Sequence, residues 1–143
     1  MKINYINDNM FLTNIIDIAH GCNNKGVQGA GVAKLIKLYY PSASEEYTNY
    51  YNNNGLELGD DIITPTNGKI IHHLITQDSF GYNEVFVKYD AVRECMKKLN
   101  KNCSENKVAM PMIGAGLGGG DWDVISSIIE QELTDVEPYV YYL

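Results

Sequence analysis

The spacing of apolar residues changes several times along the chain, and each change marks an element. "KINYI" alternates like a short strand, and "IIDIAH", Ile15 to His20, is an apolar run bounded by Gly21 that reads as a buried strand. From Gly31 to Tyr40 the period lengthens to that of a helix, with Val32, Leu35, Ile36 and Tyr39 on one face and Pro41 beyond its end. A second helix is predicted over Ala43 to Asn53. "DIITPT" and "KIIHHLIT" flank Asn67-Gly68, a turn signal, and pair as a hairpin or neighbouring strands. The pattern then predicts a long helix over Glu84 to Leu99, striped by Val85, Tyr89, Val92, Met96 and Leu99. "KVAMPMI" is a central strand, and Asp121 to Leu133 is a helix with Trp122, Ile125, Ile128 and Ile129 inward. "PYVYYL" is a closing strand. Strands alternating with helices imply an α/β sandwich on a largely parallel sheet, whose ligand loops lie beyond the carboxyl ends of the strands.

Two loops in that arrangement are rich in glycine. Gly21 to Gly31 and "MIGAGLGGGDW", Met112 to Trp122, each follow an apolar strand and run into a helix. Glycine lets a ligand approach the main chain, and amides at a helix start form an anion cradle. Five glycines between Gly114 and Gly120 exceed what a tight turn needs. Two such loops read as the walls of a groove that clamps a diphosphate. No Gly-Lys-Ser/Thr follows either loop, so this is no Walker A site. "GAGLGG" matches the dinucleotide fingerprint, but no acidic residue follows about 20 positions later at the end of a second strand.

Composition narrows the ligand. The 143 residues suffice for one domain, 1–143, with a real core. A net charge of −7 argues against nucleic acid held by phosphate neutralisation. It leaves room for a small phosphate-bearing ligand, because backbone amides bind anions without basic residues. Cys22, Cys95 and Cys103 show no zinc spacing and read as reduced thiols. The chain opens on a strand pattern rather than a basic-then-apolar leader, and it has no run of 18 apolar residues. A soluble, cytoplasmic monomer with no membrane partner is expected.

The motifs carry a resemblance. "HGCNNKGVQGAGVAKLIKLYYP", "TQDSFGYN…VKYDAV", "MPMIGAGLGGGDW" and "YVYYL" occur in the order and spacing of macro domains, which bind ADP-ribose. They resemble most the bacteriophage and yeast-type branch, the ADP-ribose-1″-phosphate phosphatases. The resemblance implies a three-layer α/β/α sandwich on a mixed, largely parallel six-stranded sheet. ADP-ribose or ADP-ribose-1″-phosphate would lie across the strand ends with its diphosphate between the two loops. Gln28, Gly29, Ala30, Gly31 and Val32 match the first loop, although Ala30 replaces a glycine and needs φ < 0. Ile113, Gly114, Ala115, Gly116, Leu117, Gly118, Gly119 and Gly120 match the second. Asn9 stands where many relatives have an Asp that recognises the adenine amino group, and Tyr141 matches an aromatic beside adenine.

The same resemblance suggests a chemistry. His20, at the mouth of the first loop, is the candidate for proton transfer or phosphate orientation. Asn23 and Asn24 would hold the distal ribose, and Asn23 is counted with His20 and Asp121 in the catalytic set. Asp121 is either a general base beside the ribose or the N-cap of the following helix. A related branch removes ADP-ribose through a lysine, and here that position is Gln77, which forms no Schiff base. His72 and His73 are adjacent on a strand, face opposite sides and read as structural; Asp60 and Asp61 read as a solvated strand edge. No metal and no cofactor is expected. The leading reading is an ADP-ribose-1″-phosphate phosphatase. The alternatives are a binding module without turnover and a water-mediated hydrolase of ADP-ribosyl links on macromolecules.

Overall fold

The computed structural model describes residues 1–80, 85–116 and 118–143. Its strands are β1 (Asn4–Asn7), β2 (Asp17–Asn23), β3 (Asp61–Thr66), β4 (Lys69–Gln77), β5 (Lys107–Met110) and β6 (Glu137–Tyr142). Its helices are α1 (Gly31–Tyr39), α2 (Pro41–Asn54), α3 (Tyr89–Asn102) and α4 (Trp122–Glu132), with a short 3-10 turn at Met10–Leu12. The six strands lie in the order β1-β6-β5-β2-β4-β3. All neighbours are parallel except β3 and β4, which turn back through Asn67-Gly68.

Alternation along the strands builds two cores. Ala19, Leu74, Val108 and Met110 face α3 and α4, where they meet Val92, Met96, Ile125 and Ile129. Ile18, Ile71 and Ala109 face the other way, toward Ile36 of α1 and Ala43 of α2. Cys22, Ile75, Ile62 and Tyr47 extend that second core toward α2. The result is a three-layer α/β/α sandwich. Among the described residues no helix is long and apolar enough to cross a membrane.

Three predicted boundaries move, each for a non-local reason. The strand expected to stop at His20 runs on to Asn23, because its pairing with β4 continues from Asp17 opposite Ile70 to Asn23 opposite Gln77. Gly21 therefore sits inside the strand, where a Cβ would come within 2.9 Å of Thr76 Oγ1. The helix expected from Glu84 begins at Tyr89; Glu84 lies outside the described residues, and Val85 is exposed. Phe86 and Val87 are held extended instead, with both amides donating to Gly118 O at 2.9 and 3.1 Å. On α1 the predicted apolar stripe is only partly used: Ile36 is buried, while Leu35 and Tyr39 are exposed. Pro41 is the first residue of α2 as well as the stop of α1, a position that suits its fixed φ and missing N–H.

His72 and His73 do diverge to opposite faces. His72 lies between two carboxylates, with Nε2 2.6 Å from Asp17 Oδ2 and Nδ1 2.9 Å from Asp61 Oδ2. All three side chains are out of contact with water, so Asp61 is not the solvated edge its sequence context suggests. Burial disfavours the imidazolium, but hydrogen bonds to Asp17 and Asp61 and their charges outweigh it and hold His72 up at about 9.

Candidate functional site

The carboxyl ends of β2, β4 and β5 open into a groove of about 690 Å³. One wall is the first glycine-rich loop and the start of α1: Asn23, Val27, Gly29, Ala30, Gly31, Val32 and Ala33. The opposite wall is the second loop: Pro111, Met112, Ile113, Gly114, Gly116 and Gly118. Gly21 and Cys22 contribute from β2, while Gln77 and Phe80 line it at the end of β4. A second hollow, of about 450 Å³, lies between α3 and α4 and shares no residue with either loop.

Local chemistry explains the first wall. Asn23 shapes its own loop: Oδ1 accepts from the Lys25 and Val27 amides at 2.9 and 3.3 Å, and Nδ2 donates to Val27 O at 2.8 Å. Ala30 is the N-cap of α1 with φ −147°, which satisfies the requirement a methyl imposes there, and the left-handed conformation falls on Gly31 at φ 59°. Among the described residues no side chain caps this helix. Its first amides are thus presented to the groove, where Val32 and Ala33 line it.

The second wall is a set of tight turns. Gly114 and Gly119 have φ of 77° and 72°, and Gly120 N donates to Gly114 O at 2.7 Å. A Cβ on Gly118 would lie 2.9 Å from Gly114 O, and one on Gly120 would lie 2.6 Å from Val87. Gly29 and Gly116 are different: a Cβ there meets nothing within 4 Å.

Of the residues expected at the site, the groove gathers Asn23, Gly29, Ala30, Gly31, Val32, Ile113, Gly114, Gly116 and Gly118. Leu117 lies outside the described residues. Ala115, Gly119 and Gly120 shape the second loop without lining the groove.

His20 does not line the groove. Because β2 continues past it, the imidazole is fully buried beneath the groove, 2.8 Å from His73 through Nε2. Burial pushes its pKa down to about 3, so it is a neutral imidazole at neutral pH and not an imidazolium acid. Asp121 is the N-cap of α4, its side chain accepting from the Asp123 amide at 2.9 Å, and it does not line the groove. Asn23 is engaged in its own loop rather than presented as a catalytic group. Gln28 is buried beside His73 and accepts from Ser44. Asn24 ties the first loop to the end of β4, donating to Asp78 and accepting from the Ser79 amide.

At the far edge of the sheet, Asn9 Oδ1 caps the 3-10 turn by accepting from the Phe11 amide at 3.0 Å. Tyr141 OH lies 2.9 Å from Thr13 Oγ1. Neither lines the groove. Phe80, half exposed at its mouth, is a lining residue that sequence reasoning missed. Its signal was a lone aromatic directly after the polar end of an apolar strand.

The family profile described as Macro domain matches residues 19–129, a span that contains both loops and the strands beneath them. The chain belongs to the macro domain family. Among relatives of this macro domain, "ADP-ribose glycohydrolase OARD1" of Bos taurus is 28% identical over 99% of this chain and 92% of its own. "ADP-ribose 1''-phosphate phosphatase" of Lodderomyces elongisporus is 27% identical over 98% of this chain and 99% of its own. A crystal structure of a protein from Bacteroides thetaiotaomicron superposes with a TM-score of 0.87 at 26% identity, covering 99% of this macro domain and 100% of that chain.

Proposed function

We propose that this macro domain binds ADP-ribose derivatives in the groove and removes the terminal phosphate of ADP-ribose-1″-phosphate, giving ADP-ribose and inorganic phosphate. One observation carries the reading: the uncapped start of α1 faces a second glycine-rich wall across a single groove. Backbone N–H groups supply the attraction for a diphosphate, which suits a chain of net charge −7. The relatives' names, one a glycohydrolase and one a phosphatase, support the substrate class.

In this reading water attacks phosphorus, the bond to the ribose oxygen breaks, and that oxygen takes up a proton from solvent. Phosphoryl transfer is accelerated chiefly by positioning and by stabilising charge on the equatorial oxygens, roles that amides fill. Among the described lining residues the side chains with polar or ionisable groups are Cys22, Asn23 and Gln77; none is a carboxylate or an imidazole. That absence favours the second reading, a module that holds ADP-ribose without turnover. Gln77 lacks the amine that a lysine-adduct route requires.

Phosphate release from ADP-ribose-1″-phosphate, run beside an ADP-ribosylated protein and an ADP-ribosylated nucleic acid, separates the readings. Phosphate from the small substrate alone supports the phosphatase. ADP-ribose freed from either macromolecule supports a glycohydrolase, and tight binding with neither product supports the module. By calorimetry, AMP should bind roughly 100-fold more weakly than ADP-ribose, the loss of one or two charge-assisted hydrogen bonds to the second phosphate. Equal affinities would contradict the two-wall clamp.

A further inference from the structure

Beneath the first loop, four side chains from β2, β4 and the loop itself converge on one point. His20 Nε2 lies 2.8 Å from His73 Nδ1 and 3.5 Å from Cys22 Sγ. Gln28 Nε2 lies 3.2 Å from His73 Nδ1 and 3.9 Å from Cys22 Sγ. All four residues are buried. Ligands bound to tetrahedral zinc at about 2.0–2.3 Å are separated from one another by roughly 3.3–3.8 Å. The Cys22 and Gln28 spacings fall within or about 0.1 Å of that range, and the two imidazole nitrogens must part by about half an ångström.

With Gln28 Nε2 directed at His73 Nδ1, that nitrogen is the acceptor, and His20 Nε2 is directed at the same lone pair. Two donors then share one lone pair in a site shut off from water. His73 is nevertheless held rigidly: its Nε2 is 2.9 Å from Thr64 Oγ1, and its ring stacks on Tyr47 with centroids 5.1 Å apart. A proton on Nε2 donated to Thr64 leaves the Nδ1 lone pair aimed inward, the arrangement that outer hydrogen bonds impose on metal-binding imidazoles. Cys22 belongs to both the cluster and the groove lining, so the cluster lies directly beneath the groove.

We propose that Cys22, His20, His73 and Gln28 form a buried site for zinc(II) or an ion of similar softness. The donor set of one thiolate, two imidazoles and an amide oxygen suits zinc and excludes the hard cations that require oxygen cages. On binding, the Cys22 thiol releases its proton to solvent as the metal–sulfur bond forms. The His20 proton moves from Nε2 to Nδ1, freeing Nε2 for the metal. The Gln28 amide turns over to present Oε1, and its NH2 group then donates to Ser44 Oγ, which now donates to Gln28. Imidazole binds a metal in its neutral form, so the proton displaced is that of the thiol. The second cluster with ligand-type side chains, Asp17, His72 and Cys103, is not equivalent. Both nitrogens of His72 already point at carboxylates, which leaves no lone pair for an ion.

The site is independent of what the groove binds, and cobalt(II) reports it directly. The full chain is refolded with cobalt(II), or produced in medium containing it, and its absorption is recorded. About one cobalt per chain is expected, with a thiolate-to-metal charge-transfer band and intense tetrahedral d–d bands. Cys22→Ser should lose the charge-transfer band, and His73→Phe should lose stoichiometric metal. Since either variant could misfold, the unaltered protein made in zinc-containing medium is weighed in parallel by native mass spectrometry. Retention of one zinc per chain supports the proposal. Absence of the charge-transfer band together with no retained zinc overturns it, as does a band that persists in folded Cys22→Ser.

Discussion

His72→Ala should lower the stability of the folded chain by about 3–5 kcal/mol, the cost of leaving buried carboxylates without their cation. Asp17 and Asp61 approach the imidazole from opposite sides, and Ser104 and Asn102 already occupy further carboxylate lone pairs. Nothing else described supplies a positive charge to Asp17. With a total stability of about 5–15 kcal/mol for a typical domain, the variant loses a large share of its margin. Urea unfolding measures it, and a loss under about 1 kcal/mol would contradict a dry ion cluster. The pH dependence is two-sided. His72 holds its proton to about 9 against an ordinary 6.5, so its contribution is complete below pH 6.5 and is lost as pH rises through 9. For Asp17, burial acts upward, but hydrogen bonds from His72 and Ser104 outweigh it and lower the pKa. Its contribution is present above the ordinary carboxylate range and is lost as pH falls. Buried His20 and His73 stay neutral where the unfolded chain takes up their protons, so stability also falls as pH drops below 6.5; it should peak near pH 6.5 and decline on either side. His72→Ala should abolish the part of the decline that falls between about pH 6.5 and 9.

Gly116→Glu and Gly29→Glu should each weaken ADP-ribose binding by about 100-fold or more, with little change in melting temperature. A carboxylate a few ångströms from a diphosphate costs about 4 kcal/mol in partly screened surroundings. These two glycines line opposite walls, lack positive φ, and have open space where a Cβ would stand. The same substitution at Gly31 would be strained by φ 59°, and at Gly118 it would drive Cβ into Gly114 O. Those variants report on folding as much as on binding. Calorimetry beside thermal unfolding checks the prediction; normal affinity in a folded Gly116→Glu chain would remove the second wall from the site.

Elements defined by short-range chemistry were readable from sequence. "DIITPT" and "KIIHHLIT" around Asn67-Gly68 form the hairpin, and Asp121 caps α4 as its position before an apolar helix suggests. Misreadings occurred where a distant group decided the outcome. Val85, Tyr89 and Val92 have helical spacing, yet Gly118 O takes the Phe86 and Val87 amides and delays the helix. Gly21 resembled a strand terminus because glycine usually breaks strands. Here it is required by the approach of Thr76, and the extra strand length carries His20 below the groove. The glycine-rich walls were legible because both precede helices. The His20–His73 contact was not, since it joins residues 53 positions apart across two parallel strands.

The uncapped start of α1 also has a consequence for motion. This helix has nine residues, buries only Ile36 and leaves Leu38 largely in water. A segment so short is marginal on its own, and its first turn lacks the side-chain acceptor that would hold it closed. An anion in the groove supplies that acceptor. Amide hydrogen exchange at Gly31, Val32 and Ala33 should therefore be fast in the free chain and slow sharply when ADP-ribose is added. Exchange in α3, anchored by Val92, Met96 and Leu99, should barely respond. Helix α1 becomes the part of the molecule whose local unfolding equilibrium registers occupancy.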